Sequence, residues 1–179
     1  MIKKIAAISA LALVLTGCVS PSEASPIIKA QAAIQITKNN DFDMMQTASL
    51  MNNGNRIDSV IKKLKKTVGK TWYVFSGNTP TGWDCSGLTM WTYEQLGVAL
   101  EHRASKQQHA GYQVKTPTVG DIVVFTYKGY SSAYHVGIYI GNGLMIHAPE
   151  KGQRTRIESV DHFAGHWSKV TYRRLIKSL

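Results

Sequence analysis

The sequence predicts an α+β fold in which helices come first and antiparallel strands follow. Apolar residues recur every three to four positions over residues 57–68 and again over residues 85–96, and a glycine follows each run. This spacing is typical of helices that bury one face. The later segments 118–127 and 135–149 are rich in Val and Ile, and the second holds a Gly-Asn-Gly turn, as expected for strands and a hairpin.

Residues 1–17 have the pattern of a signal peptide. Two lysines precede an apolar run over residues 5–15, which is too short to span a membrane, and small residues follow. The segment continues into Leu-Thr-Gly-Cys, which resembles the lipobox of bacterial lipoproteins. In that case Cys18 becomes the lipid-bearing first residue of the mature chain. An ordinary signal sequence with a chance cysteine is the alternative.

Residues 18–54 are rich in Ser, Pro, Gln, Asn and Ala. This composition favours a flexible tether, here with one or two helical turns, because it offers little apolar surface to bury. We therefore expect a lipidated N-terminus and tether over residues 18–54. Residues 55–179 are expected to form one folded domain, whose length is typical of a single domain.

The formal net charge of the 179 residues is +10, and removal of residues 1–17 leaves 19 basic residues against 11 acidic ones. A basic exported protein is suited to anionic polymers of the cell envelope or to lipid surfaces. Nucleic acid is not expected as a partner, because the chain is exported and carries no nucleic-acid-binding module that we recognise. A solvated basic face is the commoner explanation of such a charge.

The helical spacing places Cys85 in the first turn of a helix, after a loop rich in glycine and proline. The first N–H groups of a helix are unpaired and its dipole is positive there, which favours a thiolate and can bind an oxyanion. A free cysteine has a pKa of about 8.5, and a helix start with an imidazolium partner can lower it to roughly 3.5–7.5. If Cys18 carries a lipid, Cys85 has no disulfide partner. A buried structural cysteine is the alternative.

The hairpin can adopt two registers. A two-residue turn at residues 142–143 pairs Ile138 with His147 and places a histidine among apolar side chains. A three-residue loop over residues 141–143 instead brings all apolar residues to one face, and this register is favoured. Its pairs are Ile140 with Leu144 and Ile138 with Ile146.

The favoured register brings two histidines together. His147 lies opposite Gly137, on the same face as His135, with Cα atoms roughly 7–8 Å apart. A single strand histidine is usually a tolerated polar residue, but two beside an unpaired cysteine suggest a catalytic unit. In that unit Cys85 is the nucleophile, His135 the base and His147 the group that orients the base. Zinc is the competing hypothesis, but the chain lacks CxxC and HExxH spacings, so no metal or cofactor is expected.

With these motifs in view, the domain resembles the NlpC/P60 family of cell-wall cysteine peptidases over about residues 57–172. The resemblance rests on YVFSGNTPTGWDCSGL (73–88), Arg103 with Gln108, VGDIVVF (119–125) and HVGIYIGNGLMIHAP (135–149). It implies a papain-like α+β fold, with helices packed on a central antiparallel sheet and the catalytic cysteine at a helix N-terminus. It also implies hydrolysis of peptide bonds in the peptidoglycan stem.

The resemblance assigns roles to six residues. Three are catalytic and three lie near the thiol or the substrate: Cys85 as nucleophile, His135 as base, His147 as polar third residue, Tyr73 near the thiol, and Asp84 with Ser86 at the free amine of the substrate. The chain departs from the family pattern at Trp72, Phe75, Ser76 and Val119. These positions belong to the pocket wall and a turn, so they bear on fine specificity more than on reactivity.

The expected function is that of a lipid-anchored γ-D-glutamyl-diamino acid endopeptidase acting outside the cytoplasm. Its expected partners are peptidoglycan stem peptides and, through a lipid on Cys18, a membrane. The alternatives are an N-acetylmuramoyl-L-alanine amidase of the related CHAP type and a non-hydrolytic wall-binding lipoprotein that keeps the fold. The remaining histidines, His102, His109, His162 and His166, are expected to be surface residues without identifiable partners.

Overall fold

The computed structural model describes residues 26–177, which divide between two units at residues 44 and 45. The predicted signal peptide and Cys18 lie outside the described residues. None of the helices within residues 26–177 is both long enough and apolar enough to cross a membrane.

Helix α1 runs from Pro26 to Lys65. The sequence pattern predicts a tether with one or two helical turns before residue 55, whereas the structure is helical there. The stretch after Pro26 has no further proline and no glycine before Gly54, so nothing in it breaks a helix. Among the side chains described, none before Ile57 is buried. The buried face comes at the end of the helix, where Ile57, Val60, Ile61 and Leu64 enter the core as their spacing predicts.

The remaining elements alternate short helices with strands. In chain order they are β1 (Asn78–Thr79), β2 (Gly82–Trp83), α2 (Cys85–Glu94), α3 (Ala104–Gln107), β3 (Tyr112–Val114), β4 (Ile122–Tyr127), β5 (Ala133–Gly141), β6 (Leu144–His147), β7 (Arg156–Ser159), α4 (Val160–Ala164) and β8 (Ser168–Arg174). Strands β1 and β2 form a small hairpin directly before α2.

The other six strands form one antiparallel sheet in the order β3-β8-β4-β5-β6-β7. Successive residues of β4 point to opposite faces, as strand geometry requires. Ile122 and Val124 join the core that contains α2 and the end of α1, whereas Val123 and Phe125 join a second cluster with α4. The sheet is therefore buried on both faces. This confirms the predicted α+β fold of helices packed on a central antiparallel sheet.

The hairpin between β5 and β6 combines both registers considered above. Ile138 pairs with Ile146, as the three-residue loop predicts, but Leu144 pairs with Gly141 rather than with Ile140. The turn is therefore the two-residue one, and a bulge near Ile140 restores the register. Residues 141–143 all have positive φ, which glycine and asparagine tolerate and which concentrates the reversal there. The prediction for Ile140 was wrong, and that for Ile138 is confirmed.

A short set of hydrogen bonds ties residues 69–73 to residues 153–155. Backbone bonds run from Gly69 N to Thr155 O, from Thr155 N to Thr71 O and from Tyr73 N to Gln153 O, at 2.8–2.9 Å. The fully buried Trp83 indole donates to the fully buried Thr155 hydroxyl at 2.7 Å. The segment before the cysteine helix is thereby joined to the segment before β7.

Candidate active site

Cys85 is the first residue of α2, as predicted. Asp84 is the N-cap, with extended backbone, and its Oδ1 accepts from the N–H of Gly87 at 2.8 Å. A Cβ at Gly87 would lie 2.0 Å from the carbonyl oxygen of Gly77, so only glycine lets the β1–β2 hairpin pack this closely on the helix. The hairpin and the cap together fix where the thiol begins the helix.

Burial raises the pKa of the Cys85 thiol to about 11, and the nearby Asp84 carboxylate adds to the rise. The backbone N–H groups of Val136, Ser86 and Cys85 itself act in the opposite direction and lower the pKa of the thiol. The depressed pKa expected for a helix start is therefore not found, because the loss of water outweighs the N–H groups. Cys85 is a neutral thiol in the substrate-free protein and needs a base.

Asp84 accepts four hydrogen bonds. Oδ1 takes the Gly87 N–H, the Ser86 hydroxyl at 2.9 Å and His102 Nε2 at 3.0 Å, while Oδ2 takes the N–H of Ser76 at 3.0 Å. Ser76 has φ of 57°, a left-handed conformation that is uncommon outside glycine. The carboxylate therefore holds both the helix start and the strained turn that precedes it.

His135 and His147 form a hydrogen-bonded pair, with His135 Nε2 and His147 Nδ1 2.8 Å apart and the rings nearly perpendicular. Both histidines are buried. A Cβ at Gly137 would lie 3.2 Å from the Cβ of His147 and 3.0 Å from the sulfur of Met145, so the glycine allows His147 to approach β5. The predicted meeting of the two rings across Gly137 is present in the structure.

Both imidazoles are neutral at neutral pH. Burial lowers the pKa of His135 well below its ordinary value, and the neighbouring His147 and Arg156 lower it further. Burial also lowers the pKa of His147 to about 4, although the Glu158 carboxylate opposes this shift. A neutral imidazole offers one donor and one acceptor nitrogen, so each ring can take a proton.

The thiol and the histidine pair meet through β5. Val136, whose backbone N–H lowers the pKa of the thiol, is the residue after His135. Within residues 26–177 the thiol has no hydrogen bond to either ring. Catalytic hydrogen bonds are often long in substrate-free structures and shorten when substrate binds.

An open cleft of about 370 Å³ lies over the thiol. Its lining includes Tyr73, Asp84, Cys85, Ser86 and residues 132–134. Burial, with Cys85 and Asp84, raises the pKa of Tyr73, which lines the same cleft as the thiol. The cleft thus contains the predicted site residues 73 and 84–86, and the bonded pair of His135 and His147 begins on β5 directly after residues 133 and 134, which line the cleft.

Several polar residues at this site were not singled out from the sequence. His102 lines the cleft and is bonded to Asp84, and His162 Nδ1 lies 2.8 Å from Glu158 Oε1, so the expectation that neither has a partner was wrong. The buried Gln107 donates to the carbonyl of Ser86 at 2.9 Å and ties α3 beneath α2. No local pattern in the sequence predicts that Gln107 lies close to the start of α2.

Glu158 lies behind the histidine pair. Its Oε2 is 3.0 Å from His147 Nε2, 2.9 Å from Arg156 Nε and 2.7 Å from Arg156 Nη2. Burial alone would raise the pKa of Glu158, but hydrogen bonds from His162 and Arg156 outweigh it and lower the pKa. Glu158 is therefore an anion that accepts hydrogen bonds only.

Metal ligation was the competing hypothesis for the cysteine and histidines. Across residues 26–177 the structure holds no group of three or more His, Cys, Asp or Glu side chains arranged to bind a metal ion. His162 and His166 stand four residues apart, a spacing that metal sites use, but His162 is committed to Glu158.

A cysteine at a helix start, beside a buried histidine pair on an antiparallel sheet, is the arrangement of papain-like α+β domains. The NlpC/P60 family model matches residues 69–175, more than half of the chain, and the chain belongs to the NlpC/P60 family. Among solved structures, the NlpC/p60 domain of the peptidoglycan hydrolase SagA is 31% identical, with a TM-score of 0.57. The match covers 66% of this chain and 98% of that one.

Two curated relatives share this domain. The bifunctional muramidase/DL-endopeptidase CwlT of Bacillus subtilis is 37% identical over 115 residues, which are 62% of this chain and 33% of the relative. The murein DD-endopeptidase MepH of Escherichia coli is 35% identical over 115 residues, 60% of this chain and 42% of the relative. The matched region thus spans less than half the length of either relative.

Proposed function

We propose that this chain is a peptidoglycan hydrolase that cleaves stem peptides, using Cys85 as a nucleophile. Membership of the NlpC/P60 family supports the reaction class, as do the peptidoglycan-cleaving activities named for CwlT, MepH and SagA. The observation that carries the proposal is the buried His135–His147 pair, joined by a 2.8 Å bond. His135 lies on β5, whose residues 133 and 134 line the same cleft as Cys85.

In the proposed mechanism His135 accepts the thiol proton as the Cys85 sulfur attacks the scissile carbonyl carbon. The C–N bond then breaks, the proton passes from His135 to the leaving amine, and a thioester remains on Cys85. Water, deprotonated by His135, attacks the thioester and releases the carboxylic acid and the free thiol. The backbone N–H groups at the start of α2 and the Tyr73 hydroxyl supply donors for the oxyanion. The reaction requires no metal or cofactor.

The bond proposed is the one after γ-D-glutamate, in a stem that begins with a free L-Ala amine. This finer assignment rests on Asp84 and Ser86, the residues before and after Cys85, which line the cleft with it. Asp84 Oδ1 is occupied by three donors, but Oδ2 accepts only the Ser76 N–H, and Ser86 donates its proton to Asp84 while its oxygen can still accept. An ammonium between Asp84 Oδ2 and Ser86 Oγ would satisfy both acceptors.

The site of action proposed is outside the cytoplasm, with the domain tethered through a lipid on Cys18. The signal-peptide pattern of residues 1–17 and the lipobox support this location, as does a substrate that lies in the cell wall. Mass spectrometry of membrane-extracted protein is expected to find a diacylglyceryl group on an N-terminal Cys18. An unmodified N-terminus beyond residue 18 would show simple secretion instead.

Chromatography of purified muropeptides tests the reaction. The protein is expected to release L-Ala-D-Glu from free stem peptides, and more slowly from stems joined to muramic acid, whereas Cys85→Ala releases nothing. Turnover in Cys85→Ala contradicts the cysteine mechanism. Release of intact stems from the sugar indicates an amidase, and no release by the wild-type protein indicates a binding lipoprotein. A strict need for muramic acid contradicts the amine contact alone.

A further inference from the structure

We propose that Glu158 is a positioning residue that sets the tautomers of both histidines, so that His135 presents an unprotonated Nδ1 for the Cys85 proton. The carboxylate of Glu158 does this through His147, at the end of a hydrogen-bonded chain from Glu158 to His147 to His135. The inference rests on the proposed function, because it assigns a role within the same thiol chemistry. Residues 156–158 have no part in the sequence motifs that define the catalytic unit.

The direction of each hydrogen bond follows from the donors available. Glu158 is ionised and accepts only, so His147 Nε2, 3.0 Å away, carries the proton. A neutral imidazole has one N–H, so His147 Nδ1 is an acceptor. The bond of 2.8 Å to His135 must then be donated by His135 Nε2. The remaining nitrogen of His135, Nδ1, is left with a lone pair.

The opposite arrangement of the two ring protons, here called the reversed array, would prevent His135 from acting as the base. If His147 carried its proton on Nδ1, it would donate to His135 Nε2, and the proton of His135 would lie on Nδ1. His135 could not then accept a proton from the thiol. The two arrays have the same ring positions and the same 2.8 Å bond, so only the group beyond His147 distinguishes them. Glu158 favours the productive array because it offers no proton to His147.

Among the groups around the histidine pair, Glu158 is the one that selects between the two proton arrangements. Phe125 and Phe163 face the His135 ring with centroids 5.8 and 4.6 Å away, and Phe163 also faces the His147 ring. The charged groups facing His147 are Glu158 and Arg156. Arg156 donates to Glu158 through Nε and its Nη2 lies 2.7 Å from the same oxygen in an ion pair, while His162 approaches the other carboxylate oxygen. These partners keep the carboxylate ionised and aimed at His147.

Histidine-ring ¹⁵N NMR at neutral pH tests the tautomers directly and does not depend on turnover. The wild-type spectrum is expected to show protonated Nε2 and bare Nδ1 on both His135 and His147. Glu158→Ala is expected to populate the reversed array, while Glu158→Gln retains the wild-type array in part, because the amide oxygen can still accept from His147. A wild-type His147 with its proton on Nδ1 overturns the proposal, whatever the activity.

Kinetics on the muropeptide substrate give the second measurement. Glu158→Ala is expected to lower kcat about 10- to 100-fold and to leave KM within about twofold. This loss of kcat is smaller than the roughly 10²–10⁴-fold that a general base contributes. Glu158→Gln is expected to fall between it and the wild-type protein. Glu94→Ala, at an exposed glutamate on α2, is the matched control and is expected to keep wild-type kinetics.

The outcomes separate the two proposals. Wild-type kcat and wild-type tautomers in Glu158→Ala overturn the positioning role even if Cys85 is the nucleophile. A wild-type protein without hydrolase activity removes the proposed function, and the NMR spectrum still decides whether Glu158 sets the tautomers. Equal loss in Glu158→Gln and Glu158→Ala, with unchanged tautomers in both, overturns the inference in favour of a charge or folding effect. Circular dichroism checks that each variant is folded.

Discussion

Two carboxylates stand at opposite ends of the candidate catalytic unit, Asp84 beside the thiol and Glu158 behind the histidine pair. Their side chains are equally exposed, at 12%. Asp84 accepts four hydrogen bonds, whereas Glu158 accepts three and also lies 2.7 Å from Arg156 Nη2 in an ion pair. Two of the donors to Asp84 are backbone N–H groups, whereas every donor to Glu158 is a histidine or arginine side chain. Asp84 therefore fixes the path of the chain, and Glu158 fixes the orientation of rings.

The first prediction concerns stability, where the two carboxylates should differ most. Asp84→Ala is expected to lower the free energy of unfolding by about 3 kcal/mol, since a lost N-cap costs roughly 1 kcal/mol and each buried donor left unpaired about 1–3 kcal/mol. Glu158→Ala is expected to cost about 1–2 kcal/mol, because Arg156 and His162 can turn to water and only His147 loses a buried partner. Urea unfolding at neutral pH measures both. Equal losses would contradict the division of roles.

The second prediction uses the depressed pKa of His147. The unfolded histidine binds a proton near pH 6.5 and the folded one only near pH 4, so stability from this group is complete above pH 6.5 and is lost as pH falls towards 4. The shift corresponds to about 3 kcal/mol. Glu158, whose folded pKa is lowered from 4.5, loses its contribution only below that pH. His135, whose pKa is also lowered, adds to the same slope. Urea unfolding across pH 7.5–4 should show the combined slope, and His147→Gln should reduce it without abolishing it.

The third prediction concerns the thiol, which Asp84 influences and Glu158 does not. Alkylation of Cys85 by iodoacetamide should be slow at neutral pH and rise towards a midpoint near the pKa of about 11. Asp84→Asn keeps a capping oxygen but removes the charge that raises this pKa, so the midpoint should move to lower pH. Glu158→Gln should leave the midpoint in place. A shift of the same size in both variants would show that the two charges are equivalent at the sulfur.

The smallest effects are expected from the histidines that contact the carboxylates. The His162 side chain is 80% exposed, so His162→Ala should change the free energy of unfolding by less than about 0.5 kcal/mol. The His102 side chain is 24% exposed and bonded to Asp84 in the cleft, so His102→Ala should cost more and should also alter KM for stems with a free amine. Thermal melts and muropeptide kinetics compare the pair. A larger stability loss for His162→Ala would reverse the ranking.

The parts of the site that the sequence predicted are those with local signals. The helical spacing after Cys85 and the alternation along β5 and β6 are local, and they place the cysteine and both histidines correctly. The bulge was missed because three consecutive positive φ values at residues 141–143 allow a turn that strand alternation does not specify. The bulge adds one residue to β5, so Leu144 pairs with Gly141 instead of Ile140.

Glu158 could not be predicted in the same way. It reaches the histidine pair because β7 pairs with β6 in the register Met145 with Glu158 and His147 with Arg156. Residues 148–155 connect these strands and contain a turn, in which Gln153 N donates to Glu150 O at 3.1 Å and Gly152 has positive φ. Further residues separate this turn from both strands, so the turn chemistry alone does not set the register. The contact of His102 could not be predicted for a similar reason, because an irregular loop brings it next to Asp84, 18 residues earlier in the chain.

The hydrogen bonds between residues 69–73 and residues 153–155 bear on how the domain folds. Partners such as Gly69 with Arg154 and Trp83 with Thr155 lie 85 and 72 residues apart. Closing loops of this length costs entropy before the contact is made, so non-local contacts of this kind slow folding. Along the chain, Cys85 lies between the two joined segments, and Glu158 lies after the second one. During refolding, hydrolytic activity should therefore return with the last kinetic phase, after the helices have formed.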